Sequence, residues 1–360
     1  MAGVSHELLV GCADCQGILR LAFDADSGRI GEQPLQVISA SQASWLVLSA
    51  DGERLFALEN VRGGGRISAL RRDSDGQFIV TASMPSEGHE AVHGSLAEDA
   101  RHLLVAHYAG TPPAGSLAVL PLTGDGLGRV TQLREEPFER PGAERQASSH
   151  MHCVVAAPDG RRIFACDLGA DRIHDYHYQA ERREPLVPAS PAYLRLPEGS
   201  GPRHLVFDAA GRHAYLTLEL SNQVALLDYR DQQLRQRALY DLDPPLLPPA
   251  DRRLGALHLS ADGRFLYVSR RGADNQLVCY AVDRSDGTLR ELQRRDSGGV
   301  EPREFLIAAD GRFVLVANQH SDKLVVLHRD PVSGLLGEVL QELSVSSPTD
   351  LKLVAAIAHG

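Results

Sequence analysis

The chain has 360 residues, 43% of them hydrophobic, and a formal net charge of −10. It contains no long lysine- or arginine-rich run, and no stretch near the roughly 20 apolar residues that span a bilayer, so nucleic acid and membrane are not expected partners. Five cysteines, an odd number, make no disulfide framework in a chain this long. Met1 to Glu7 lack a basic segment leading into an apolar core, so a cytoplasmic protein without a secretory signal is expected.

Taken in order, Glu7 to Cys12 and Gly17 to Phe23 read as two strands of an incomplete first unit. Between them, Cys12-Ala13-Asp14-Cys15 has the spacing of a redox or metal pair. A structural zinc site wants four ligands and a redox pair normally opens a helix, so these are read as two separate thiols at a turn. A second unit runs from Trp45 through Val80, with a turn at Asp51-Gly52 and Glu59-Asn60 at the far end of its return strand. The third turns at Asp99-Ala100 and carries His93 and His107-Tyr108. A loop from Arg134 to Ser149, rich in Glu, Arg, Pro and Ser, leads into His150-Met151-His152, and long loops of this kind often serve a site.

The fourth unit turns at Asp159-Gly160, the fifth at Ala210-Gly211, the sixth at Asp262-Gly263 and the seventh at Asp310-Gly311. From residue 51 the spacings are 48, 60, 51, 52 and 48. A period near fifty, with about four short strands in each unit, predicts an all-β chain folded as a seven-bladed β-propeller, one domain over residues 1–360. Return strands are expected near residues 7, 53, 101, 161, 212, 264 and 312. Pro348 to Val354 repeats the pattern of Pro302 to Leu306 and is expected to complete the first blade, closing the ring and removing a sheet edge.

The same register collects polar residues. Seven positions before each turn stand His152, Arg203 and Arg303; nine after it stand Glu219, Arg271 and Gln319. Hairpin residues equally far from a turn are neighbours, so these are expected at one end of the blades. By the same count Asp167 is expected opposite His152, placed to orient its imidazole, and Cys153 opposite Cys166. His150 shares the face of His152. His258 lies closer to its turn and reads as structural.

Gly201-Pro202-Arg203-His204, His150-Met151-His152, Leu259 to Ser269 and Val316-Ala317-Asn318-Gln319 resemble the seven-bladed lactonase family. That family includes propeller-type 6-phosphogluconolactonases and is related to a carboxy-muconate lactonising enzyme. The chain departs from the family pattern at Cys12, Leu218 and Arg270. The resemblance implies a cofactor-independent hydrolase without metal, acting on an anionic small-molecule lactone, first of all 6-phospho-D-glucono-1,5-lactone of the pentose phosphate pathway, as a monomer or weak homo-oligomer. It implies catalytic roles for His152, Arg203, Glu219 and Arg271, and substrate-binding roles for His150, Arg145, Asp167, His204, Arg303 and Gln319. His152 or Glu219 would accept the proton of water, and arginine would stabilise the oxyanion or hold phosphate. Another acidic lactone such as a muconolactone, and a binding scaffold without catalysis, are the alternatives.

Overall fold

The computed structural model describes residues 6–15, 17–109, 115–124, 126–242 and 252–357. Among them lie 29 strands and one three-residue 3₁₀ turn at Gln319–Ser321. The strands form seven antiparallel sheets, six of four strands and one of five. The first sheet holds His6–Cys12, Ile18–Asp24 and Arg29–Ile38, and Pro348–Ala355 pairs with His6–Cys12 to complete it. Closure by the carboxyl-terminal strand is therefore as expected. The other return strands begin at Arg54, His102, Arg162, His213, Phe265 and Phe313, each one residue beyond the expected position.

The turns explain the repeat. Gly52, Gly160, Gly211, Gly263 and Gly311 all have φ between 63° and 74°, a region that costs a residue with a Cβ about 1–2 kcal/mol. Ala100, in the degenerate copy, adopts φ 52° all the same. Its turn is held as four of the others are, by an aspartate side chain accepting the N–H two residues on: Asp51, Asp99, Asp159, Asp262 and Asp310 each do this at 2.9–3.1 Å, while at Gly211 it is Asp208 that accepts, from the Arg212 N–H at 2.8 Å.

The second strands Arg162–Asp167, His213–Leu218 and Phe313–Asn318 are buried along their whole length, which is why they read as apolar runs without alternation. Fourth strands such as Leu186–Arg195 expose many side chains. The chain divides into two compact units, Met1–Glu59 with Ser68–Ala82 and His258–Gly360, and Asn60–Ile67 with Ser83–Leu257. In the second unit the first strand of one sheet, Met151–Ala156, packs beside the first strands His89–Leu96 and Pro202–Phe207 of its neighbours.

A feature absent from the sequence pattern recurs near the start of first strands. The ladder skips a residue between Ala43 and Trp45, Ala91 and His93, Met151 and Cys153, and Pro302 and Glu304, and skips two between Pro202 and Leu205. Such bulges leave the skipped residue outside the pairing and re-aim its side chain. The skipped residues are Ser44, Val92, His152, Arg203 with His204, and Arg303.

Candidate active site

The second unit gathers polar groups at this bulge. Arg203 is 1% exposed and Glu219 is 3% exposed, and Arg203 Nε lies 3.1 Å from Glu219 Oε2. The other carboxylate oxygen, Oε1, accepts from Arg145 Nη2 at 2.9 Å. Two guanidinium groups therefore share one buried carboxylate. Arg145 is the exposed partner: its side chain is 43% accessible, and its Nη2 also reaches Tyr108 Oη at 3.3 Å.

Arg203 Nη1 donates to His204 Nε2 at 3.1 Å. Because guanidinium has no acceptor, His204 must present a lone pair there, and it is a neutral imidazole with its proton on Nδ1. Rings continue from it. His204 lies 5.3 Å from both His93 and His152, His152 lies 5.7 Å from Tyr108, and Tyr108 stacks on His150 at 4.5 Å. His150 donates from Nδ1 to Tyr108 O at 2.7 Å.

The loop over residues 134–149 is tied down from one buried side chain. Asp171 accepts from Gln146 Nε2 at 2.7 Å, from Arg140 at 3.2 Å, and from the N–H groups of Gly199 and Gly201 at 2.9 and 2.8 Å. It fixes both the loop that brings Arg145 and the turn that enters Pro202-Arg203. Gly201 must be glycine there: its φ is +62°, and a Cβ would lie 2.5 Å from Leu220 Cγ.

The sequence profile of the family described as lactonase, 7-bladed beta-propeller, matches residues 7–353. The chain belongs to this lactonase family. Relatives include a 6-phosphogluconolactonase of Formosa agariphila, 28% identical over 94% of this chain and 95% of its own length, and one of Bacillus subtilis, 25% identical over the same shares. A solved structure described as the periplasmic gluconolactonase of Pseudomonas aeruginosa is 44% identical, with TM-score 0.91 over 98% of this chain and 99% of its own. The seven sheets are thus the blades of a lactonase propeller.

The structure departs from expectation in two places. Asp167 does not face His152. The bulge moves the register so that Asp167 pairs with Met151, and its carboxylate accepts from Ser149 Oγ, His150 N–H, Ala170 N–H and His174 Nε2 at 2.7–3.3 Å. Burial alone would push this carboxyl up; the hydrogen bonds and charge of His174 and the His150 N–H outweigh it and hold the carboxyl below its ordinary range. Asp167 thus positions His150 through the backbone. Cys12 and Cys15, read as separate thiols, are joined as a disulfide. The reading failed because pairing depends on the closeness of the two Cα atoms, 5.5 Å apart here, and not on the absence of a second pair of cysteines.

Cys153 and Cys166 do face each other, as buried thiols. Arg271, Arg303 and Gln319 belong to the first unit. There Arg271 Nη1 pairs with Glu301 Oε1 at 2.8 Å, the Gln319 N–H donates to Glu301 O at 2.9 Å, and Arg303 occupies its bulge. The added charge at Arg270 is matched by Asp274, and Leu218 is fully buried. Tyr108, Asp171 and His93 also touch this candidate site, and none of them is among the site residues expected from sequence. Tyr108 stands nine positions after the Asp99 turn, the same register as Glu219, and that count identifies it. Asp171 has no such signal.

Proposed function

We infer that this lactonase opens sugar lactones by hydrolysis, with 6-phospho-D-glucono-1,5-lactone the first substrate to test, as in the relatives named for that activity. The observation that carries the reading is the buried Arg203–Glu219 pair, shared with Arg145 and bordered by His204 and His152. Folding alone gains little from burying such charges. A carboxylate gripped by two guanidiniums is a weak base, so Glu219 serves best as the counter-ion that orients both arginines. His152 is then the group to take a proton from water. The hydroxide oxygen adds to the lactone carbonyl carbon, and the charge that collects on the carbonyl oxygen is met by the guanidinium of Arg203. Collapse breaks the bond from the carbonyl carbon to the ring oxygen, which takes the proton back from the imidazolium. Neither a cofactor nor a metal enters this scheme.

A second substrate, the unphosphorylated gluconolactone, has its own support. The 44% identical structure carries the gluconolactonase description, and Nη2 of Arg145 is already engaged by Glu219. The compartment divides in the same way. A cytoplasmic enzyme of the pentose phosphate pathway, working as a monomer or weak homo-oligomer, goes with the phosphorylated substrate. The Cys12–Cys15 disulfide and the periplasmic neighbour go with an oxidising compartment.

The deciding experiment compares enzymatic with spontaneous opening of both lactones by the wild type and Arg145→Ala. Loss of a charged hydrogen bond of about 1.5–3 kcal/mol should raise KM about 10–100-fold for the phosphorylated lactone and little for the other. Equal changes for both would remove phosphate recognition from Arg145, and no acceleration of either lactone would sink the functional reading.

A further inference from the structure

The strand Lys323–Arg329 ends on a cation that lactone chemistry does not use. Arg329 is 2% exposed. Its Nε donates to Tyr267 Oη at 2.7 Å and its Nη1 to Gly311 O at 2.6 Å. The guanidinium lies over the rings of Phe265 and Tyr267, 5.4 Å from each centroid. Every one of these partners is neutral. Among the described residues no carboxylate pairs with Arg329, and its buried Nη2 has no hydrogen-bond acceptor. A guanidinium buried without a counter-charge is costly, and folded proteins ordinarily pair it.

Arg329 lines a cavity of about 320 Å³ formed with residues 259–262 of one turn, residues 307–311 of the next, and Pro331. That volume is at the lower end of the range for small-molecule sites. Two carboxylates stand in the wall, and each is already neutralised: Asp262 by Arg264 Nε at 2.6 Å and Asp310 by Arg312 Nε at 2.5 Å. The lining therefore keeps one net positive charge, on Arg329. Leu259, Ile307, Ala308 and Pro331 supply an apolar side to the same space.

We propose that this cavity binds a small organic monocarboxylate, with its carboxylate on Arg329 and its alkyl part against Leu259 and Ile307. The guanidinium supplies the charge that a carboxylate complements. The apolar wall favours an organic acid over an inorganic anion. The lining's single net positive charge balances one negative charge and not two, which sets a monocarboxylate above phosphate. None of the residues assigned to lactone opening takes part, so the site is independent of that reading.

The test is calorimetric titration of the full chain with sodium butyrate and, separately, with inorganic phosphate. Butyrate is expected to bind saturably with a Kd on the order of 1 mM, and phosphate not to compete with it. Ala309 is exposed on the turn beside the cavity, so Ala309→Trp should fill the space, raise the butyrate Kd at least about tenfold, and leave the melting midpoint and lactonase rate unchanged. Arg329→Met should abolish binding. Should either variant fail to fold, the methyl resonances of Leu259 and Ile307 in the wild type decide, since butyrate must shift them. Absence of saturable butyrate binding, binding unaffected by Ala309→Trp, methyl shifts confined to other residues, or binding of phosphate in preference to butyrate would each overturn the proposal.

Discussion

Glu219→Gln and His152→Gln separate the counter-ion from the base. The Arg203 and Glu219 side chains are 2% and 4% exposed, and removing one partner of so buried a pair costs about 3–5 kcal/mol. An unfolding entropy of about 2.1 cal/mol/K per residue gives about 0.76 kcal/mol/K for 360 residues. The loss therefore lowers the melting midpoint by about 4–7 °C. His152→Gln keeps a polar side chain of similar size at the bulge and should leave the midpoint near wild type while lowering kcat by about 10²–10⁴-fold. Differential scanning calorimetry with kcat measured against pH reads both effects. An imidazole base gives an acid limb near a reference of about 6.5, a carboxylate one near about 4.3, and the limb should vanish in His152→Gln and persist in Glu219→Gln. A Glu219→Gln enzyme with an unchanged midpoint and no acid limb would refute the reasoning and make Glu219 the base. Normal kcat in both variants would remove the two residues from the chemistry.

Deleting residues 348–360 takes away the strand that completes the first sheet, including the buried side chains of Leu351 and Val354. At about 1.5–3 kcal/mol for each such side chain, the two cost about 3–6 kcal/mol before any loss of pairing, a large part of the roughly 5–15 kcal/mol of a typical domain; a truncated chain that keeps its midpoint and solubility would contradict it. His107 is pushed down to about 4 by burial, with Ser86 and Ser116 hydroxyls on its two ring nitrogens. Its folded pKa lies below the unfolded value, so its contribution is complete above about pH 6.5 and is lost, by about 3 kcal/mol, as pH falls toward 4. The midpoint of His107→Gln should accordingly depend less on pH across that window, and parallel curves for variant and wild type would argue against it. Iodoacetamide applied in denaturant to air-equilibrated protein should label Cys153, Cys166 and Cys279, and all five cysteines only after reduction; intact mass counts the labels, and five without reductant would exclude the disulfide.

The repeat, the seven return strands and the closing strand were legible in the chain because they rest on local chemistry. An aspartate that caps a turn and a glycine that adopts positive φ act within four residues, and hairpin pairing then follows from distance to the turn. The same count brought out His152, Arg203 and Arg303, and it reaches Tyr108 as well. Tertiary structure decided how those residues are used. A bulge near the start of the strand took Asp167 away from His152 and gave it to the loop backbone. Asp171 joins segments 25 residues before it and 30 after it, a contact that no periodicity announces. The sharing of Glu219 between Arg203 and Arg145, the stack of Tyr108 on His150 and the closure of Cys12 onto Cys15 likewise depend on where chain segments meet in space. Strand pattern sets which residues can face a site; the long-range packing of loops and bulges sets which of them touch.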